Sequence, residues 1–174
     1  MKLILIRHCE TNESLQNIVH GQMDFGLSLN GKKQANNLSK NLKHEIIDLI
    51  CCSDLSRAIE TALIVKQRYP NVKLISSPAL RERNYGIYQG KKWIDVENNI
   101  SRDNIESDEK LKERVLNFIH TLWLEHNSET VVIITHSGPI KILLRANDEN
   151  SNIDRNKMAH GSIHVIQYDK IMTV

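Results

Sequence analysis

Four short stretches of this 174-residue sequence carry side chains suited to handling a phosphoryl group. An apolar run at 3–6 leads straight into Arg7, His8 and Cys9. Ser53-Asp54-Leu55-Ser56-Arg57 follows a second apolar run, and Thr135-His136 ends another. Glu82 lies in PALRERNYGIYQGKKW, beyond a further short run. Guanidinium forks match phosphate oxygens. An imidazole can act as nucleophile or proton carrier, and a carboxyl group can act as general acid. Taken singly, each residue also has an ordinary reading. A strand-terminal His is commonly a hydrogen-bonded surface residue, Arg57 a solvated helix arginine, and Arg81-Glu82-Arg83 a mixed-charge loop. The joint arrangement carries the argument, because each residue occupies the same topological position.

The nucleophile has two candidate chemistries. A thiolate phosphatase loop requires an arginine six positions after its cysteine. Cys9 has Leu15 there, but Cys51 has Arg57, and so meets the spacing. The Cys51 loop contains no glycine, although a tight nest of backbone N–H groups favours one. On spacing alone, the thiol of Cys51 stands beside the imidazole of His8.

The elements that must position these residues follow from hydrophobic patterning. Short continuous apolar runs at 3–6, 46–52, 72–75 and 131–134 predict buried strands, and 162–168 a final strand. Apolar spacing predicts helices over 33–44, with Ser28 as N-cap, over 55–68, with caps from Ser53-Asp54, and over 108–126. A last helix starts at Ser137-Gly138-Pro139, where a first-turn proline is tolerated. Residues 12–27 and 76–107 read as loops, the second long enough to be functional. The order β-α-β-α-β-loop-α-β-α-β predicts an α/β fold: a three-layer sandwich with a mostly parallel central sheet and helices on both faces. Ligands of such sheets sit beyond the carboxyl ends of the strands, where Arg7, His8, Arg57, Glu82 and His136 would converge. Helix N-termini at that edge add free N–H groups for an anion.

Composition bounds the partners. The net charge of +2 argues against nucleic acid or an anionic membrane, and no apolar run is long enough for a signal peptide or membrane span. Three cysteines, two of them adjacent, read as free thiols in a reducing compartment, so a cytoplasmic location is expected. No metal-ligand spacing appears, and neither metal nor cofactor is expected. One domain over 1–174 is expected, with a short cap or loop insertion around 84–107.

LILIRHCET resembles the R-H-G-[ED]-T motif of the phosphoglycerate mutase-like branch of the histidine phosphatase superfamily. The likeness continues through GQMDFGLSLNGKKQA, SDLSRAIETA, LRERNYGIYQGK and VVIITHSGPIKILL, and ends in HGSIHVIQYD. It covers nearly the whole chain in order. The resemblance implies a phosphoglycerate mutase-like fold and a metal-independent phosphomonoesterase acting through phosphohistidine. His8 would be the nucleophile and Glu82 the proton donor, with Arg7, Arg57 and His136 on the phosphoryl oxygens. Ser14, His20, Gly21, Tyr85 and Ser137 would lie on the phosphate or substrate side. Cys9 and Ser137 stand where the family has glycine, Ser14 where it often has asparagine, and His20 where Gln, Ser or Thr is common.

The implied partners are a small phosphomonoester, such as a ribazole or sugar phosphate, and inorganic phosphate. The oligomeric state stays open. Three alternatives accompany this reading: a 2,3-bisphosphoglycerate-dependent mutase, a protein phosphohistidine phosphatase, and a non-catalytic phosphate-binding module. Against the mutase, 91–107 is short and contains only Arg102, where family mutases carry a longer insertion with an arginine pair.

Overall fold

Five strands form one sheet in the order β3-β2-β4-β1-β5. They are β1 (Lys2–Arg7), β2 (Leu49–Ser53), β3 (Lys73–Ser77), β4 (Thr130–Thr135) and β5 (Ile163–Gln167). The computed structural model describes residues 1–96, 101–148 and 158–169. Part of the cap expected over 84–107 therefore lies outside the described residues. β1, β2, β3 and β4 run parallel, and β5 pairs antiparallel with β1. This is the mostly parallel α/β sheet expected from the alternation.

The apolar runs are continuous because the sheet is covered on both faces. Leu3, Leu5, Leu49, Cys51, Val131 and Ile133 face one side, packed with Leu111, Val115 and Ile119 of α4 (Asp108–His126) and Ile140 and Leu143 of α5 (Ser137–Asn147). Ile4, Ile6, Ile50, Cys52, Val132 and Ile134 face the other, against Ala35 and Leu38 of α1 (Leu29–Asn41) and Ala58, Ala62 and Val65 of α2 (Ser56–Lys66). The period-2 alternation of strand side chains divides each run between the two cores. Among the described residues, no helix is long and apolar enough to cross a membrane.

Two helix starts differ from expectation. α1 begins at Leu29, not residue 33, because the Ser28 side chain accepts the Gly31 N–H at 2.9 Å and closes the first turn at once. α2 is not capped by Ser53 or Asp54. Asp24, from the loop between β1 and α1, accepts from Ser56 N at 2.7 Å and Ser56 Oγ at 2.8 Å. Asp54 is engaged instead by the Arg81 guanidinium. The segment between β3 and α4 contains short helical turns at Pro78–Leu80, Gly86–Tyr88 and Arg102–Asn104 and a four-residue helix α3 (Trp93–Val96). An isolated bridge between Ile18 and Lys92 ties it to the loop after β1.

Candidate active site

The site assembles where the central parallel strands end. His8 follows β1 and is only 3% exposed. Its backbone N–H donates to Thr135 O of β4 at 2.8 Å, so the ring is fixed to the middle of the sheet. Its Nδ1 lies 2.7 Å from Cys9 O. A carbonyl can only accept, so Nδ1 carries the proton and Nε2 keeps its lone pair. Burial holds the His8 pKa well below the usual imidazole value, helped by nearby His136, Arg57 and Arg7. The ring is neutral and set in one tautomer.

Two cations surround it, Arg57 buried and Arg7 half-buried. Arg57, in the first turn of α2, donates to Met23 O and Gly21 O at 2.8 Å each. Arg7 donates to Met158 O, and its other terminal nitrogen lies 3.0 Å from His160 Nε2. These contacts are with neutral groups. Desolvation lowers the pKa of both arginines, that of Arg57 to about 10. Each guanidinium also keeps an Nε–H without a partner. The remaining buried side-chain nitrogens or oxygens without a partner, among the described residues, are His20 Nε2 and both ring nitrogens of His136. Buried polar groups are normally satisfied, and these all belong to one site. Such a set of unpartnered donors, beside two arginines hydrogen-bonded to neutral groups, is matched by a tetrahedral dianion.

Glu82 closes the site from the loop after β3. Its carboxylate accepts from Arg83 N at 2.8 Å, Ser137 Oγ at 3.0 Å and Gly138 N at 3.2 Å, the last two at the start of α5. Glu82, expected from the sequence as the general acid, is seated on a helix N-terminus. A cavity of about 250 Å³ is lined by Arg7, Ser14, His20, Gly21, Glu82, Tyr85 and Ser137, all expected from sequence. Asn17, Ile18, Trp93 and His160 complete its wall. Tyr85 and Trp93 meet edge to face at 5.3 Å. Ser14 reaches the cavity wall with its hydroxyl donated to Thr11 O at 2.7 Å. Gly21 takes a φ of +51°, which turns its carbonyl onto Arg57.

The thiol alternative is overturned. Cys51 and Cys52 sit inside β2, one in each core, and burial pushes both thiols up to about 12. Cys51 belongs to a strand and not to a phosphate loop. Cys9 is also fully buried, packed with Ile6, Leu27 and Ala58, and its thiol rises to about 11.

His160 escaped the sequence reading. Its ring lies 5.3 Å from that of His8, and its burial lowers its pKa to about 4. The available signal was direction. β5 runs antiparallel to β1, so its start, and not its end, reaches the site edge; Gly161 N donates to Arg7 O at 3.0 Å.

Known proteins resemble this chain over most of its length. An adenosylcobalamin/alpha-ribazole phosphatase of Escherichia coli is 28% identical over 159 residues, covering 83% of this chain and 77% of that protein. A 2,3-bisphosphoglycerate-dependent phosphoglycerate mutase of Bartonella henselae is 30% identical over 164 residues, with 83% and 80% covered. The solved structure of Bacillus stearothermophilus YhfR superposes with a TM-score of 0.86 at 25% identity, covering 97% of this chain and 92% of the other. Residues 3–172 match the family model of the histidine phosphatase superfamily (branch 1), and to that superfamily this chain belongs.

Proposed function

We propose that this phosphoric monoester hydrolase works by a two-step exchange at His8, on a small monoester whose leaving group carries no charge. The neutral His8 ring, its Nδ1 held by Cys9 O so that Nε2 keeps its lone pair, beside two arginines that each keep an unpartnered Nε–H, carries the reading. In the first step the Nε2 lone pair attacks phosphorus, the bond from phosphorus to the ester oxygen breaks, and Glu82 gives its proton to that oxygen. In the second step the Glu82 carboxylate takes a proton from water, the water oxygen bonds to phosphorus, and the P–N bond breaks. Arg7, Arg57 and His136 stabilise charge spread over the phosphoryl oxygens, which in phosphoryl transfer is most of catalysis.

The cavity wall supports the substrate class. Arg7 and Glu82 are its charged side chains, both assigned to the phosphoryl end, while Asn17, Ile18, Tyr85 and Trp93 form the leaving-group end. Apolar and hydrogen-bonding groups there favour a sugar or ribazole over a carboxylate-bearing group such as glycerate.

The test is a pair of substitutions read by trapping of acid-labile phosphoenzyme and by turnover of 4-nitrophenyl phosphate. His8→Ala is expected to abolish both, and Cys51→Ser to leave both largely intact. The reverse pattern would falsify the imidazole mechanism. Ribazole and sugar phosphates should outrun 3-phosphoglycerate in kcat/KM; a preference for the glycerate would return the mutase alternative.

A further inference from the structure

Among the described residues the segment that carries Glu82 pairs with no strand, yet the four successive carbonyls of Ala79 to Glu82 are all engaged. Thr135 Oγ1 donates to Leu80 O at 2.6 Å. Arg114 of α4 serves the others: Nη1 donates to Ala79 O at 2.7 Å and Arg81 O at 2.8 Å, and Nη2 to Glu82 O at 3.0 Å. The same guanidinium binds Glu106 in a two-pronged pair, Nε to Oε1 at 2.7 Å and Nη2 to Oε2 at 2.9 Å. A guanidinium has five N–H donors, and these five contacts use them all.

Glu106 grips the segment from its other end. Its carboxylate accepts from Asn84 N at 3.0 Å, its own N–H donates to Asn84 O at 2.7 Å, and its carbonyl accepts from Arg83 at 2.6 Å. The pair is largely buried, with side chains 20% and 12% exposed. It is anchored on α4 beside Leu111 and Val115, both at 0% exposure.

We propose that Arg114 and Glu106 are positioning residues for the reaction: together they hold residues 79–84 so that the Glu82 carboxyl meets the leaving-group oxygen. This rests on the reading of Glu82 as the proton donor. Of the residues that line the phosphoryl cavity, the pair is hydrogen-bonded to Glu82, through its backbone carbonyl, so it acts by placing that residue. Arginine is required because three backbone carbonyls and a carboxylate must be reached from one planar fork; the three donors of a lysine ammonium cannot replace it.

Proton donation matters most when the leaving oxygen is a poor one, which gives a readout that a merely structural role would not move. kcat/KM would be measured for 2,4-dinitrophenyl phosphate, whose leaving group departs unprotonated, and for glycerol 2-phosphate, whose alkoxide needs the proton. Arg114→Lys is expected to lower kcat/KM for the alkyl ester by about 100-fold and for the aryl ester by less than about 5-fold. Glu106→Gln, which keeps side-chain volume and one acceptor, should show the same asymmetry at about 10-fold and serves if Arg114→Lys does not fold. Equal losses on both esters, or no loss on either, would overturn the proposal. Glu82→Gln separates the two levels of inference. If it too loses both substrates equally, the reading of Glu82 falls; if it discriminates while the Arg114 and Glu106 variants do not, only the positioning role falls.

Discussion

Cys9 occupies a glycine position of the family motif, directly beside His8, the proposed nucleophile. Its carbonyl does the work there, by accepting from His8 Nδ1, and a carbonyl is common to every residue type. The side chain points the other way, into the core with Ile6 and Leu27, and its N–H donates to Thr61 Oγ1 at 3.2 Å. A cysteine is tolerated where a small apolar group fits. The thiolate is the reactive form, and all three thiols are buried with raised pKa values. The native protein should therefore resist a thiol-specific disulfide reagent at neutral pH and release three equivalents only in denaturant. Rapid labelling of one thiol in the native state, with loss of activity, would contradict this placement.

At the level of elements, the N-terminus of α5 sets both His136, its N-cap, and the seat of Glu82. Gly138 matters here for space, not for backbone freedom. A methyl group on its Cα would run into Glu82 Oε1, with Leu111 Cδ2 behind at 3.4 Å. Alanine is a better helix former than glycine by up to about 1 kcal/mol, which offsets part of the crowding. Gly138→Ala should thus change the melting temperature little and lower kcat/KM about 10- to 100-fold by moving the carboxyl group. A large fall in melting temperature with unchanged kcat/KM would show that the helix yields and the acid does not.

Across the whole molecule, the site gathers histidines that folding keeps neutral. Burial is the leading cause at each: His8 and His136 lie well below the usual value of 6.5, and His20 and His160 at about 4. The unfolded chain takes up protons on these rings below about 6.5 while the folded protein does not, so stability falls as pH falls through that window and levels only near or below 4. The shifted carboxylates, such as Asp54 and Glu106, have ordinary values of 3.8 and 4.5 and lowered ones when folded. Their loss begins at more acidic pH. Melting temperature should therefore drop by several degrees between pH 7 and pH 5. Inorganic phosphate, binding the folded cations, should restore it, by about 2.7 kcal/mol at a hundredfold excess over its dissociation constant. A flat profile over that range would mean that the rings are not held neutral.

Much of this was legible in the sequence because it depends on local order. The apolar runs place the strands; Arg7 ends one, His8 and His136 directly follow two, and Arg57 and Glu82 lie in the connections leaving two others, so these residues could be brought to one sheet edge from topology alone. Helix starts were less legible: Ser28 closes α1 earlier than the apolar spacing indicates, and the cap of α2 comes from Asp24, 32 positions away. Tertiary structure decided what rests on direction and long-range contact. It turned the cysteines into the cores, brought His160 to the site by reversing β5, and supplied Arg114 from α4 to hold the Glu82 segment. Spacing along a chain records which side chains share a strand end. Only the packed sheet determines which atom of each faces the reacting group, because that depends on partners dozens of residues away.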